Sequence, residues 1–319
     1  MPSPVHLLVG LPASGKSSIA ASLSTPGTRV LSRDKEGGSL QDLLGQFKVE
    51  LGRDVPVVLD NTSCTVEERA PFVAAARAAG RSVTCHWMTT SAEDAQVNAL
   101  HRMWDRYDQV FFTAAEIKAH PQASQDPNMF PAAALFAYKK RFEKPTTAEG
   151  FDRVVKIDFV RRPGAGTRKA LVLDYDGTLR RDARELAGAY PYPTRPSEVQ
   201  VLPGRAEVLR RYQADGYLLL GASNQSGIAK GHLTSDDALA CFRETSRQLG
   251  VQVSHAYCPH SVPPVSCYCR KPQAGIGVYL TRLYGLDPAQ TLMVGDLTTD
   301  RTFAARCGFS YEDASVFFR

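Results

Sequence analysis

The 319-residue chain has no apolar run approaching ~18 residues, so no membrane-spanning helix is expected. Its opening, Val5-His6-Leu7-Leu8-Val9, lacks a basic n-region and runs straight into a glycine loop, unlike a secretory leader. A disulfide framework is not expected either: the seven cysteines are an odd number, and three of them crowd into residues 258–269. These absences set the expected compartment as cytoplasmic, with no membrane partner. Charge of one sign is also scarce. Lys+Arg against Asp+Glu stand at 18 and 18 over residues 1–160 and at 20 and 15 over residues 161–319, so the whole net +5 lies in the second half. That balance permits a polyanionic partner without demanding one. What is present, 43% hydrophobic and 22% charged residues, is ordinary globular composition. The length suggests two domains.

Val5–Val9 is expected as a buried strand, followed by Gly10-Leu11-Pro12-Ala13-Ser14-Gly15-Lys16-Ser17 and a helical pattern from Ser18 to Leu23. This is a G-x-x-x-x-G-K-[ST] phosphate loop in its confirming strand–loop–helix context. Its backbone N–H groups, with Gly10, Ser14, Gly15 and Ser18 in the binding set, would cradle the phosphates of ATP. Lys16 would reach the β- and γ-phosphates and Ser17 would hold Mg²⁺. Val30–Asp34 is expected as a second strand ending in an acid. Asp34 then either takes the proton of an attacking hydroxyl or simply begins the polar loop Lys35-Glu36-Gly37-Gly38. Val55–Asp60 is a third strand ending in an acid, with Asp60 at a Walker-B-like position.

Thr65-Val66-Glu67-Glu68 is a capping box for a helix to about Ala79, with Gly80 as its stop. A strand Ser82–Met88 precedes a helix from Ser91 that carries Arg102 and Arg106, read either as closing over the γ-phosphate or as solvated surface charge. Residues 104–131 show no clean period and are expected as a lid or substrate loop. A helix over about Ala132–Glu143 and a strand Arg153–Phe159 complete domain 1–160. A Pro/Gly-rich linker over 161–168 follows.

In domain 169–319 the strand-like run Ala170–Leu173 leads into Asp174-Tyr175-Asp176-Gly177-Thr178. Two carboxylates two residues apart need a cation or a proton between them. They suit a nucleophilic Asp174 on Mg²⁺ and an Asp176 acting as ligand, acid and base at a phosphoester. Three further strand ends supply Ser223, Lys271 (from Arg270-Lys271-Pro272) and Asp296. Ser223 would hold a phosphoryl oxygen, Lys271 would neutralise the aspartyl-phosphate, and Asp296 would complete the Mg²⁺ shell. Cys258, His260, Cys267 and Cys269 place three thiols and an imidazole within twelve residues, the ligand set of a closed structural zinc site.

The phosphate loop, Ser32-Arg33-Asp34, Leu59-Asp60-Asn61-Thr62, the run Tyr138–Pro145 and Glu149-Gly150-Phe151 together resemble the kinase module of polynucleotide kinase/3′-phosphatase enzymes. The resemblance implies Asp34 as general base for a 5′-hydroxyl and a lid arginine, here Arg102. The arginine that the phage form places after this acid is replaced by Lys35-Glu36-Gly37-Gly38. Residues 168–310 resemble haloacid-dehalogenase-like phosphatases, which implies a covalent aspartyl-phosphate on Asp174. The run Ser223–Gly231 is similar to both polynucleotide 3′-phosphatases and bacterial heptose bisphosphate phosphatases. The cysteine loop 258–269 resembles the zinc loop of heptose bisphosphate and histidinol phosphatases, and animal polynucleotide phosphatases lack it.

The expected architecture is therefore α/β in two domains, a P-loop kinase-like parallel sheet followed by a haloacid-dehalogenase-like Rossmannoid domain. The expected function is healing of DNA or RNA ends, with ATP-dependent 5′-phosphorylation and 3′-phosphate removal leaving ends for a ligase. The alternative is a kinase/phosphatase fusion acting on a sugar or amino-alcohol phosphate.

Overall fold

A computed structural model describes residues 2–161, 164–182, 190–261 and 266–319. The expected linker residues Arg162 and Pro163 lie outside these. The chain divides into two compact units: Met1–Ala99 with Ile117–Arg161, and Leu100–Glu116 with Arg162–Arg319. The grouping of residues 100–116 with the second unit was not foreseen.

The first unit holds a five-stranded sheet of β1 (Val5–Val9), β2 (Arg29–Leu31), β3 (Val57–Leu59), β4 (Val83–Met88) and β5 (Arg153–Ile157) in the order β2-β3-β1-β4-β5. Every pairing is parallel, with Leu7 of β1 level with Leu59 on one side and Cys85 on the other. Such strands are covered on both faces, which is why they read as unbroken apolar runs. Val5, Leu7 and Val9 pack with Phe47 and Phe72 from helices Leu40–Gly52 and Val66–Ala78. Leu8 packs the opposite way, with Ala20 of helix Lys16–Leu23, Val58 and Met88. The chain leaves β1 for β2 on one side of the sheet and leaves its neighbour β3 for β4 on the other, so the carboxyl ends of β1 and β3 flank the topological switch point where ligands bind in open α/β sheets. The phosphate loop leaves from that end of β1.

Three expectations are corrected here. The second strand stops at Leu31, and Asp34 lies in a one-turn helix, Arg33–Glu36, begun at Ser32 and ended by Gly37 at φ 73°. Helix Leu40–Gly52, capped reciprocally by Ser39 and Asp42, escaped the sequence reading. Residues 104–131, expected as a loop without a period, contain helical pieces: the helix from Ala92 runs to Tyr107, Ala114–Ala119 is a second helix, and Ala123–Gln125 a 3₁₀ turn.

The second unit's sheet comprises β6 (Arg168–Leu173), β7 (Leu218–Asn224), β8 (Ser254–Cys258), β9 (Leu286–Gly295) and β10 (Ser310–Asp313) in the order β10-β9-β6-β7-β8, again all parallel. β6 is central. Its Leu171 and Leu173, wholly buried, pack with Phe242 and Leu249 of helix Ser235–Leu249, each contributing about 1.5–3 kcal/mol by burial. That helix is fixed at its start by the reciprocal Thr234–Asp237 cap. Asp174, Asn224, Cys258 and Asp296 thereby arrive at the same end of one sheet.

Two candidate phosphoryl sites and a candidate metal centre

In the first unit the loop Gly10–Ser17 turns on Ala13 at φ 59° and Gly15 at φ 92°. Gly10 is required for close approach, since a Cβ there would lie 2.8 Å from Ser14 Oγ and 2.9 Å from Met88 Cβ. The Lys16 ammonium is buried and donates to the carbonyls of Gly10 (3.0 Å) and Leu11 (2.7 Å). Ser17 Oγ donates to Asp60 Oδ2 at 2.9 Å, which joins the expected Mg²⁺ hydroxyl to the acid at the end of β3. Ser18 N–H bonds Gly15 O, closing the first helical turn. Thr90 and Asn98 brace the loop from outside through the carbonyls of Ser14 and Ala13. Asp34 is exposed. Arg102 lies on helix Ala92–Tyr107, within the segment belonging to the second unit.

Within the run Tyr138–Phe151, the Tyr138 hydroxyl, Glu143 and Glu149 serve as scaffold. Arg69, fully buried, grips Glu149 through two bonds of 2.6 and 2.9 Å and donates to the carbonyls of Ser63, Cys64 and Glu143. The Tyr138 hydroxyl donates to Thr62 O, and Glu143 accepts from Val66 N–H. Thr62 O in turn accepts from Gly10 N–H at 3.3 Å. The run thus pins the loop after Asp60 against the phosphate loop. Arg69 carried no motif, and only its burial and partners reveal the role.

In the second unit Lys271 Nζ lies 2.8 Å from Asp174 Oδ1 and 2.7 Å from Asp300 Oδ1, and all three residues are buried. Burial pushes the Asp174 carboxyl up to about 7 against the opposing pull of Lys271. Burial disfavours the Lys271 ammonium, but its two carboxylates more than offset this and hold its pKa above the ordinary value. Asp174, Asp296 and Asp300 each bring an oxygen within 4.8 Å of the others. Three carboxylates against one ammonium leave an excess of negative charge that a divalent cation would balance, and hard oxygen ligands suit Mg²⁺. Asp300, missed from sequence, accepts from Leu297 N–H and lies where a Cβ on Gly295 would come within 2.5 Å of it.

Asp176 was expected among the metal ligands, but its carboxylate is engaged elsewhere. Oδ1 accepts from the buried Arg180 at 2.7 Å and Oδ2 from Gln225 at 3.1 Å, whose amide also reaches Ser223 Oγ at 2.8 Å. Ser223 and Asp176 therefore share one donor, and Arg180 and Gln225 join the site as residues no motif had marked.

The thiols and imidazole assemble as expected. Cys258 Sγ lies 3.7 Å from Cys267 Sγ and 3.4 Å from His260 Nδ1, and His260 Nδ1 lies 3.2 Å from Cys269 Sγ. Bond lengths of ~2.3 Å to sulfur and ~2.0 Å to nitrogen give tetrahedral edges of about 3.8 Å between sulfurs and about 3.5 Å from nitrogen to sulfur. The donors are spaced to fit a four-coordinate ion. The centre is coupled to Lys271 by two short links: Cys269 is two residues away, and Asn224, level with Cys258 across β7 and β8, brackets the Lys271 backbone at 2.9 and 3.0 Å.

Family models match in both units, an AAA domain over residues 5–145 and a HAD-hydrolase-like model over residues 268–311. The chain is 35% identical over 147 residues to a probable D-glycero-D-manno-heptose-1,7-bisphosphate 7-phosphatase of Thermoplasma volcanium, covering 43% of this chain and 92% of that protein. It is 34% identical over 142 residues to the D-glycero-beta-D-manno-heptose-1,7-bisphosphate 7-phosphatase of Pasteurella multocida, covering 42% and 73%. Among solved structures, the B. bronchiseptica D,D-heptose 1,7-bisphosphate phosphatase complexed with magnesium and phosphate matches at 30% identity and TM-score 0.40, over 45% of this chain and 78% of that one.

Proposed function

Because the chain belongs to the haloacid-dehalogenase-like phosphatases that include the heptose bisphosphate 7-phosphatases, and also carries a P-loop kinase-like domain, we propose that it heals nucleic-acid ends. The first unit would phosphorylate a 5′-hydroxyl from ATP, and the second would remove a 3′-phosphate. One observation supports this reading: a single chain carries a P-loop kinase-like domain and a HAD-like phosphatase domain. Opposed chemistry is futile on one group and productive on the two ends of one substrate.

In the kinase step Lys16 would leave its loop carbonyls for the transferring phosphoryl oxygens. Asp34, exposed beside the loop Gly37-Gly38, would accept the proton of the incoming hydroxyl. Arg102 is proposed as the lid arginine. In the phosphatase step Asp174 Oδ would attack phosphorus, the ester oxygen would leave with a proton from Asp176, and Asp176 would then deprotonate the water that cleaves the acyl phosphate. Lys271 neutralises the nucleophile's surroundings, while Ser223 and Gln225 hold a phosphoryl oxygen. Ser17 and Asp60 in one unit, and Asp174, Asp296 and Asp300 in the other, would hold magnesium, which would supply charge neutralisation at the phosphoryl group. Cys258, His260, Cys267 and Cys269 are proposed to hold structural zinc, which would fix the approach of Arg270 and Lys271. A ligase is the partner implied by the products.

A second reading for the phosphatase half has its own support. The relatives are named for a sugar bisphosphate, and the four-donor centre belongs to this unit. An oligonucleotide with a 5′-hydroxyl and a 3′-phosphate, assayed beside heptose 1,7-bisphosphate, separates the two. Faster 3′-dephosphorylation of the oligonucleotide supports end healing. Turnover of the sugar ester alone would refute it for this half.

A further inference from the structure

A cavity of about 310 Å³ opens beside the start of the phosphate loop, between Gly10, Leu11, Trp87, Thr90, Tyr138 and Phe142. None of the chemistry described above uses it. Three rings meet there: Trp87 and Phe142 have centroids 6.1 Å apart, and Tyr138 stacks on Phe142 at 5.6 Å and 22°. The surroundings are basic. Lys144 and Lys156, both exposed, hold their ammonium groups 5.5 and 5.8 Å from the Trp87 ring centre, and Lys139 lines the rim. Among the described residues, Glu93 is the single acid lining the cavity.

An aromatic floor with flexible cations around it is the chemistry that binds a nucleobase by its face and the flanking phosphates by charge. The volume lies at the small end of ligand pockets, enough for one nucleotide rather than a long aliphatic chain. We infer that this cavity holds one nucleotide of the single-stranded acceptor, with its base against Trp87 and its phosphates on Lys139, Lys144 and Lys156. The inference rests on the polynucleotide reading of the first unit and would give that unit the strand grip its missing loop arginine left unassigned.

The chain has two tryptophans, so Trp104→Phe, first checked for unchanged turnover, leaves Trp87 as the reporter. A short oligonucleotide with a 5′-hydroxyl should quench Trp87 emission, in the presence of saturating ATP as in its absence. Trp87→Ala should raise the KM for the oligonucleotide roughly tenfold while leaving the KM for ATP and kcat in place. Should that variant fold poorly, the exposed pair Lys144→Gln/Lys156→Gln should lower the salt slope of binding by about 1.4, at ~0.7 for each phosphate no longer neutralised. A silent Trp87 with unchanged KM in variants that still phosphorylate the oligonucleotide overturns this inference and leaves the kinase reading standing. Quenching by ATP alone would also overturn it, by giving the cavity to the donor. Absence of both oligonucleotide binding and phosphorylation would remove the reading beneath it as well.

Discussion

Lys16 and Lys271, each proposed to face a phosphoryl group, sit in opposite surroundings. Lys271 is buried between two carboxylates, and every acid of its site is placed by a strand end or a helix cap. Lys16 rests on neutral carbonyls of its own loop, the exposed Ser17 hydroxyl leans on an acid, and Asp34 stands exposed on a single helical turn. Lys271 thus already stands between two acids, whereas the bonds described for Lys16 are to backbone carbonyls. Preorganised charge in a dry site acts at full strength without reorganisation. A site completed by its substrate trades some of that for selectivity.

The largest expected effects test the independence of the two sites. Asp174→Asn should lower phosphatase kcat by at least ~10³-fold with kinase turnover unchanged, and Lys16→Ala should do the converse, both read by steady-state assays on one preparation. Next comes stability. Arg69→Met strands Glu149 and frees three carbonyls in the first unit, and Asp300→Asn leaves Lys271 with one carboxylate in the second. Arg69→Met should cost about 3–5 kcal/mol in urea unfolding, since removing one member of a buried pair leaves the other uncompensated, and Asp300→Asn, which leaves Lys271 paired with Asp174, should cost less. If Asp300→Asn cost nothing, the contrast between a charged, prebuilt phosphatase site and a looser kinase site would fail.

A smaller effect should follow removal of metal from the thiol centre. A zinc chelator or Cys267→Ser should slow the phosphatase roughly tenfold, as loss of outer-shell support does, and leave ATP turnover intact. Metal analysis should return one zinc per chain. The smallest effect concerns pH. His6 Nδ1 and His86 Nε2 lie 3.0 Å apart, and burial, with His6 and Arg153 nearby, pushes His86 down to about 4. Between pH 6.5 and about 4 the unfolded chain binds the extra proton, so stability falls as pH drops through that window. The first unit should lose about 1–2 kcal/mol between pH 7 and pH 5, and His86→Gln should flatten the dependence.

Much of this was legible in the sequence because the responsible residues are neighbours in it. The phosphate loop, Asp174, Lys271 and the four thiol and imidazole donors are short strings whose geometry follows from strand–turn–helix context. Arg69, Arg180 and Asp300 were not legible. Arg69 acts on Glu149 eighty residues away and Asp300 on Lys271 across the fold, Arg180 turns back onto Asp176 four residues before it, and none of the three carries a mark of its burial in the sequence. Asp34 was found as an acid and misplaced as a strand end, because Ser32 caps a turn that the apolar pattern does not show. In the Tyr138–Phe151 run, noticed for its resemblance, the Tyr138 hydroxyl, Glu143 and Glu149 hold a loop in place, while Phe142 lines the cavity beside Trp87 and Lys144 lies over the Trp87 ring.

End healing is tested by one oligonucleotide bearing a 5′-hydroxyl and a 3′-phosphate, incubated with ATP and Mg²⁺ and either the parent protein, Lys16→Ala or Asp174→Asn, and read by product mass. Phosphate should be gained at the 5′ end and lost at the 3′ end with the parent, lost alone with Lys16→Ala, and gained alone with Asp174→Asn. An oligonucleotide left unchanged by the parent protein while a sugar phosphate is hydrolysed would contradict it.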